Sequence, residues 1–240
     1  MGQWIYGKNA VTEAIEARRA LKVYVSHTFS DATLLRVIQA AGVTVERVSE
    51  ARLKSLVQGN HQGIIADVKP FSYRELSDFI ARTSSKKDPL VILLDEVQDP
   101  QNFGAIIRNA VGLYVDAIIV KKMNQVDVTP VVSKVASGAL EHIDIIQVSN
   151  LSQAMETLKK AGYWFAATTL SETSKDYRDF DYRGPIGLIF GSEGNGVSPL
   201  VSKRADVLIK IPLSPKLESF NVASSVAIVL AEVYRQSHPL

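Results

Sequence analysis

The stretch LIFGSEGNGVS, residues 188–198, joins a short apolar run to a turn with three glycines. A glycine-rich turn at the end of a strand usually binds phosphate through backbone N–H groups. Here Glu193 lies inside the turn, and its carboxylate would repel a pyrophosphate. The spacing is G-x-x-G-x-G, which differs from dinucleotide-binding and P-loop patterns. The stretch predicts a ligand loop at the carboxyl end of a strand, or alternatively a flexible turn before a helix near 198–203.

Apolar runs alternate with helical patterns on both sides of this loop. The predicted strands are 21–26, 43–49, 62–68, 90–97, 116–121, 142–148, 163–169, 186–190 and 207–211. The predicted helices are 10–19, 31–41, 73–83, 103–114, 130–138, 151–161 and 221–236. This alternation favours an α/β fold with a largely parallel sheet. The later strands are continuous apolar runs, as expected when helices cover both faces of the sheet.

A polar segment marks the expected domain boundary. Residues 70–89 are rich in charged residues and serine, and they contain the loose run SSKKDP. We therefore expect a domain at 1–70, a linker with a short helix at 71–89, and a second domain at 90–240.

Composition limits the class of protein. The 240 residues carry a net charge of +2, and residues 1–69 hold nine Lys or Arg against six Asp or Glu, which permits contact with RNA. The chain has no cysteine, so disulfides, thiolate nucleophiles and cysteine-bound metals are excluded. No apolar run approaches the roughly 20 residues that span a bilayer, and the N-terminus lacks a signal-peptide pattern. We expect a cytoplasmic protein with no membrane partner.

The stretch LDEVQDPQNFGAIIRNA, residues 94–110, reads as a buried strand, a turn and a helix. Asn102 is a natural N-cap for that helix. Arg108 shares one helix face with Gly104 and Gly112, which lie four residues before and after it. Glycine costs about 1 kcal/mol in a helix relative to alanine, so this face suggests close approach of another group. The alternative is a solvated arginine on an ordinary amphipathic helix.

The stretch IKIPLSPKLESFNVASSVAIVLAEVYRQ, residues 209–236, ends a strand and leads through a polar loop into an apolar helix. Asn221 is the expected N-cap of that helix. A helix this apolar is buried in a core or in a partner subunit. Packing accounts for the helix itself but not for Ser219 and Asn221 before it.

Other catalytic chemistry has little support in the sequence. The four histidines lack the spacing of metal ligands, so we expect no metal site. The serines lack a G-x-S-x-G pattern, which argues against a serine hydrolase.

Three motifs in order carry a family resemblance. They are N-x-G-x-x-x-R-N-A from Asn102, G-S-E-G-N-G from Gly191, and I-P-L…S-F-N-V-A from Ile211. Together they resemble the motifs of the SpoU (TrmH-type) RNA ribose 2′-O-methyltransferases. Residues 5–15 and 59–68 resemble the L30e-like RNA-binding domain of the RlmB-type 23S rRNA (guanosine-2′-O-)-methyltransferases. The third motif departs from the common S-L-N-V-S at Phe220 and Ala223.

The resemblance implies transfer of a methyl group from S-adenosylmethionine to a ribose 2′-hydroxyl. It implies a SPOUT-type parallel sheet with a deep C-terminal trefoil knot, preceded by a small L30e-like α/β domain. Sequence physics would not predict a knot, because knots are nearly absent from proteins. It also implies a homodimer, for which we nominate the helix at 221–236 and the helix that contains Arg108.

The resemblance also implies site residues. The active site would contain Asn102, Arg108, Glu193 and Asn221. The cofactor would be held around Thr168, Gly191, Ile211, Leu213, Ser219 and Phe220. A guanidinium is effectively always charged, so we expect Arg108 to clamp the target phosphate and stabilise the developing alkoxide, while Glu193 orients Arg108 or takes the proton. A glycine at 191 would let the main chain approach a flat ligand.

The front domain favours ribosomal RNA, with a guanosine of 23S rRNA as the expected target. The alternative within the family is a tRNA ribose 2′-O-methyltransferase. An alternative of another class is a non-catalytic RNA-binding ribosome assembly factor on the same scaffold.

Overall fold

The structure is a computed structural model that describes residues 3–192 and 194–238. Its elements are β1 (Gln3–Tyr6), α1 (Lys8–Glu16), β2 (Ala20–Ser26), α2 (Ala32–Ala40), β3 (Thr44–Val48), α3 (Glu50–Leu56), β4 (Ile64–Val68), α4 (Leu76–Thr83), β5 (Leu90–Asp95), α5 (Pro100–Gly112), β6 (Ala117–Lys121), α6 (Pro130–Ala136), β7 (Asp144–Val148), α7 (Leu151–Lys160), β8 (Trp164–Thr168), β9 (Lys175–Asp176), β10 (Ile186–Gly191), α8 (Pro199–Arg204), β11 (Val207–Lys210) and α9 (Val222–Ser237). All nine predicted strands and all seven predicted helices are confirmed. The helix considered near 198–203 is present as α8, and the structure adds β1, β9 and α3, which are too short to give a clear periodic pattern.

The chain divides into two compact units, and the first contains the residues up to Ser72 together with Asp127–His142. Its four-stranded sheet has the order β1-β4-β2-β3. β4 is antiparallel to β1 and β2, whereas β2 and β3 are parallel. One side of this sheet packs the apolar faces of α1 and α2 into a core that includes Val11, Val23 and Ile38.

Residues 127–142 are tied into the first unit by polar contacts as well as by packing. The side-chain amide of Gln3 donates to the carbonyl of Val128 at 2.7 Å. Arg19 forms an ion pair with Glu141, and burial raises the pKa of that carboxyl although the arginine opposes the shift. The first unit is therefore assembled from two segments that are far apart in sequence.

The second unit contains Tyr73–Val126 and the described residues from Ile143 onward. Its seven-stranded sheet has the order β7-β6-β5-β10-β8-β11-β9, and every pair is parallel. Every residue of β5 is buried, which explains why its sequence is apolar up to Asp95. The expected α/β fold with a parallel sheet is confirmed. None of the helices in the described part of the chain has the length and apolar character needed to cross a bilayer.

The start of α5 differs from the sequence-based expectation. Asp99 is its N-cap, since the carboxylate accepts a hydrogen bond from the backbone N–H of Gln101 at 2.9 Å, and Pro100 is the first helical residue. Asn102 therefore lies inside the first turn and is not the cap. Aspartate followed by proline is a stronger helix start, because proline needs no N–H partner there and its φ angle is already helical.

Candidate active site

A cavity of about 470 Å³ lies at the carboxyl ends of β8, β10 and β11. All six residues expected to hold a cofactor line it. The lining is Thr168, Thr169, Leu170, Phe190, Gly191, Ser192, Gly194, Asn195, Gly196, Val197, Lys210, Ile211, Leu213, Glu218, Ser219, Phe220, Val222 and Ser225. The carboxyl ends of neighbouring parallel strands meet at one edge of the sheet, where such sheets bind ligands. The fold therefore brings together residues from three distant stretches of sequence.

The glycine-rich loop closes on itself beside this cavity. The backbone N–H of Gly196 donates to the carbonyl of Ser192 at 3.0 Å. A Cβ atom at Gly191 would lie 1.9 Å from the carbonyl carbon of Gly196, which no real side chain tolerates. Gly191 thus allows close approach of two segments of the loop, and it also lines the cavity, so its predicted approach to a ligand stays a prediction. Glu193 lies outside the described residues.

Asn221 is the N-cap of α9, as predicted. Its side-chain oxygen accepts from the backbone N–H groups of Ala223 at 2.9 Å and Ser224 at 3.3 Å. Its side-chain nitrogen donates to the Oδ1 atom of Asn102 at 2.8 Å. Asn102 is buried, with 8% of its surface exposed. One amide therefore caps a helix and orients a second, buried amide, which fixes the direction of both.

A second cavity of about 270 Å³ adjoins the first. It is lined by Glu96, Val97, Gln98, Asp99, Asn102, Ser192, Asn195 and Val222. The last three also line the larger cavity, so the two spaces share a wall. A hydrogen bond from Lys121 holds the pKa of Glu96 below its usual value, so this space is bordered by a carboxylate that stays ionised.

Arg108 has a different environment. It lies on α5 and is exposed, and it forms no hydrogen bond or ion pair with another described residue. Gly104 is buried, whereas Gly112 is exposed and a Cβ atom there would meet nothing within 4 Å. Within the described chain, no group makes the close approach at Gly112 that the spacing suggested. Among the described residues, the structure brings Asn102 and Asn221 together but gives Arg108 no hydrogen bond to either.

The sequence analysis missed two charged residues of the larger cavity, Lys210 and Glu218. Lys210 ends β11, so its position at the carboxyl end of a predicted strand was the available signal. The volume of the cavity falls in the range of small-molecule sites. Among the described residues, no three histidine, aspartate or glutamate side chains are grouped to hold a metal ion.

A parallel α/β sheet with a ligand cavity at its carboxyl edge defines the class of α/β enzymes that bind a small molecule there. The family model described as SpoU rRNA Methylase family matches residues 89–231, more than half of the chain. The model described as RNA 2′-O ribose methyltransferase substrate binding matches residues 4–74. The chain belongs to the SpoU rRNA methylase family.

Three relatives illustrate the similarity. YacO of Bacillus subtilis, provisionally named a TrmH family tRNA/rRNA methyltransferase, is 35% identical over 99% of this chain and 97% of its own. The AdoMet-bound rRNA methyltransferase of Sinorhizobium meliloti is 25% identical with a TM-score of 0.81, covering 98% of this chain and 87% of that one. The TrmH/SpoU tRNA modifying enzyme of A. aeolicus is 28% identical with a TM-score of 0.57, covering 67% of this chain and 83% of that one.

Family membership confirms three expectations from the sequence. The SpoU resemblance is confirmed, and so is the enzyme class, an RNA methyltransferase. As a member of this family the chain uses S-adenosylmethionine, which confirms the expected cofactor.

Proposed function

We propose that this enzyme transfers the methyl group of S-adenosylmethionine to the ribose 2′-hydroxyl of an RNA nucleotide, and that the target is a guanosine of 23S rRNA. The observation that carries the proposal is the larger cavity. It collects all six expected cofactor residues and borders the space that Asn102 lines. The substrate-binding model at residues 4–74 supports ribose 2′-O chemistry.

The lining of the cavity fits S-adenosylmethionine. Lys210 and Glu218 contribute one charge of each sign, which suits the carboxylate and ammonium of the methionine part. Ile211, Leu213 and Phe220 offer apolar surface for the adenosine part. The cofactor has no phosphate, so the turn that contains Glu193 does not meet the repulsion that a pyrophosphate would suffer there.

The protein's work in this reaction is to place and activate the hydroxyl. When bound, S-adenosylmethionine supplies a methyl group on a good leaving group, so positioning the hydroxyl accounts for much of the rate. Asn102 lines the second cavity, and its hydrogen bond with Asn221 makes the two amides a fixed polar pair. Arg108 clamps the phosphate of the target nucleotide and stabilises the developing alkoxide, because its guanidinium stays charged.

Glu193 completes the proposed site. A carboxylate in the glycine-rich loop orients Arg108 or accepts the proton of the hydroxyl. Single-turnover pH–rate profiles of Glu193→Gln and Arg108→Lys separate these roles. If Glu193→Gln leaves the chemical step unchanged, Glu193 is not the proton acceptor.

Ribosomal RNA is favoured over tRNA by the extent of similarity. The rRNA methyltransferase from Sinorhizobium meliloti aligns with 98% of this chain, whereas the tRNA modifying enzyme of A. aeolicus aligns with 67%. In this chain, residues 4–74 match the substrate-binding model. A tRNA ribose methyltransferase is the second candidate.

Finer features of the architecture complete the proposal. We assign residues 1–70 to an L30e-like RNA-binding domain, 71–89 to a linker, and 90–240 to a methyltransferase domain with a trefoil knot, of which residues 127–142 pack within the first compact unit. The enzyme acts on ribosomal RNA in the cytoplasm as a homodimer. The surface next to α5 and α9 supports this, because Tyr114, Tyr234 and His238 form an exposed aromatic stack there.

Calorimetric titration of the full chain with S-adenosylmethionine tests the proposal. We expect saturable binding with one site per chain. Absence of binding would contradict catalysis and favour the non-catalytic assembly factor. Light scattering at micromolar concentration tests the dimer, and a monomeric mass would contradict it.

A further inference from the structure

The carboxylate of Asp95 joins two loops of the second unit. Asp95 is the last residue of β5, and only 2% of its surface is exposed. Its Oδ2 atom accepts a hydrogen bond from the backbone N–H of Ser198 at 2.9 Å. Ser198 ends the glycine-rich loop that lines the larger cavity. A buried carboxylate is tolerated only when it is paired, so a cation is required nearby.

Lys121 provides that cation from the end of β6, the strand beside β5. Its Nζ atom lies 3.2 Å from Oδ1 of Asp95 and 2.6 Å from Oε1 of Glu96. Burial opposes the charge of Lys121, but its hydrogen bond to Glu96 and its ion pair with Asp95 outweigh burial and raise the pKa of Lys121. Lys121 therefore stays charged, although none of the three sequence motifs contains it.

The loop that Glu96 begins is also fastened to the segment after β6. Glu96 has a left-handed φ of 67°, a costly conformation for this residue type. The next backbone N–H, of Val97, donates to the side-chain oxygen of Gln125 at 3.0 Å. This loop leads into α5 and lines the second cavity. Lys121 therefore contacts Asp95, which binds the glycine-rich loop at Ser198, and Glu96, which begins the loop before α5.

The second unit contains two further examples of a lysine paired with an aspartate that accepts from a backbone N–H. They are Lys86–Asp116–Leu90 and Lys159–Asp206–Phe165.

These two examples lie at the opposite edge of the sheet, where strands begin. The side chains of Asp116 and Asp206 are 20% and 24% exposed, compared with 2% for Asp95. Of the three arrangements, the Asp95 one is the buried one and the one at the edge with the cavities. The same pairing of lysine with aspartate is therefore buried at Asp95, where removal of the cation would destabilise the protein most.

We propose that Lys121 is a positioning residue for cofactor binding. It neutralises buried Asp95, and Asp95 holds the N–H of Ser198, so that the loop at 191–198 keeps the shape that lines the cavity. The inference rests on the proposed function, in which this cavity binds S-adenosylmethionine.

The test is calorimetric binding of S-adenosylmethionine to the full chain. Lys121→Met should raise the Kd at least about tenfold, because it leaves an uncompensated buried carboxylate. The matched control Lys159→Met should change the Kd less than about twofold, since Lys159 is a surface ion-pair residue at the opposite edge. The double variant Lys121→Met/Asp95→Asn should return to within about threefold of wild type, because an asparagine oxygen still accepts from Ser198 without a charge.

Each outcome is decisive. Wild-type protein that does not bind S-adenosylmethionine overturns the proposed function. Wild-type protein that binds, with an unchanged Kd for Lys121→Met, overturns the positioning role alone. If Lys121→Met does not fold by circular dichroism, the double variant decides, since it removes the stranded charge. A double variant that folds but binds as weakly as a variant with a disrupted cavity, such as Gly191→Ala, contradicts the proposal.

Discussion

The Asn102–Asn221 pair and Arg108 come from the same set of motifs but have opposite environments. Asn102 is buried and hydrogen-bonded to Asn221, which itself caps α9. Arg108 is exposed and has no polar partner among the described residues. We propose that the chain forms one half of its site, the cofactor cavity and the adjoining amide pair, in advance, whereas the other half, around Arg108, is completed by RNA or by a partner subunit.

Removing Arg108 should have the largest effect and tests the exposed half of this comparison. Arg108→Ala should reduce the rate of methyl transfer roughly 10²- to 10³-fold, the usual loss when one group that stabilises a developing oxyanion is removed. The Kd for S-adenosylmethionine should stay within about twofold of wild type, because Arg108 does not line the cavity. Single-turnover kinetics and calorimetry measure the two quantities.

Arg82→Ala is the control for Arg108, since Arg82 is an exposed helical arginine outside the three motifs, where it pairs with Asp144. It should retain full activity. If Arg108→Ala weakened cofactor binding as much as it slowed transfer, the two halves of the site would not be separate.

Substituting Gly191 tests the cofactor cavity, which belongs to the half of the site that the chain forms in advance. The Cβ atom of Gly191→Ala would collide with the backbone of Gly196, so the loop must change shape. We expect the Kd for S-adenosylmethionine to rise about 10- to 100-fold, since overpacking costs about 1–3 kcal/mol. Gly184→Ala is the control for a loop glycine without a collision, because a Cβ atom at Gly184 would meet nothing within 4 Å, although its φ is positive and that of Gly191 is not. Equal effects of the two changes would mean that the collision at Gly191 is not the cause.

Substituting Asn221 separates its two tasks. Asn221→Asp keeps an oxygen to cap α9 but replaces the donor that faces Oδ1 of Asn102 with a second acceptor. The helix cap should survive, so its contribution to the free energy of unfolding should change little. The transfer rate should fall about tenfold, because losing the hydrogen bond to Asn102 costs about 1–3 kcal/mol. Asn221→Ser serves as the comparison, because serine also caps a helix but places no negative charge beside Oδ1 of Asn102. Unaltered transfer by Asn221→Asp would show that the pair has no role in the reaction.

Substituting Gly112 should have the smallest effect. Gly112→Ala meets no atom of the described chain within 4 Å, so its free energy of unfolding should change by only about 0.5 kcal/mol. If RNA approaches the face that Arg108 occupies, the KM for RNA should rise about two- to threefold. Steady-state kinetics measure it, and an unchanged KM would indicate that RNA does not approach Gly112.

Local patterns predicted much of the fold. The apolar run of β5 before Asp95 and the apolar stripes of α9 reveal their elements, and Asn221 caps α9 as expected. The prediction failed for Asn102, because Asp99 followed by Pro100 starts the helix three residues earlier. Both residues are plausible caps by type, and only the hydrogen bond shows which one is used.

Features that depend on distant contacts were out of reach of local patterns. The packing of residues 127–142 into the first unit has no local signature, since their partners lie more than a hundred residues away. The pairing of Lys121 with Asp95 depends on the neighbouring positions of β5 and β6 in the sheet. The expected cofactor residues came from family resemblance, and the fold explains why residues so far apart share one cavity.

The most direct test of the account is the pattern of 2′-O-methylated nucleosides in ribosomal RNA from a strain that lacks this chain. We predict that one 2′-O-methylguanosine of 23S rRNA is lost and that the wild-type chain restores it, whereas the Arg108→Ala variant does not. An unchanged ribosomal RNA methylation pattern, or loss of a base methylation in its place, would contradict the proposal.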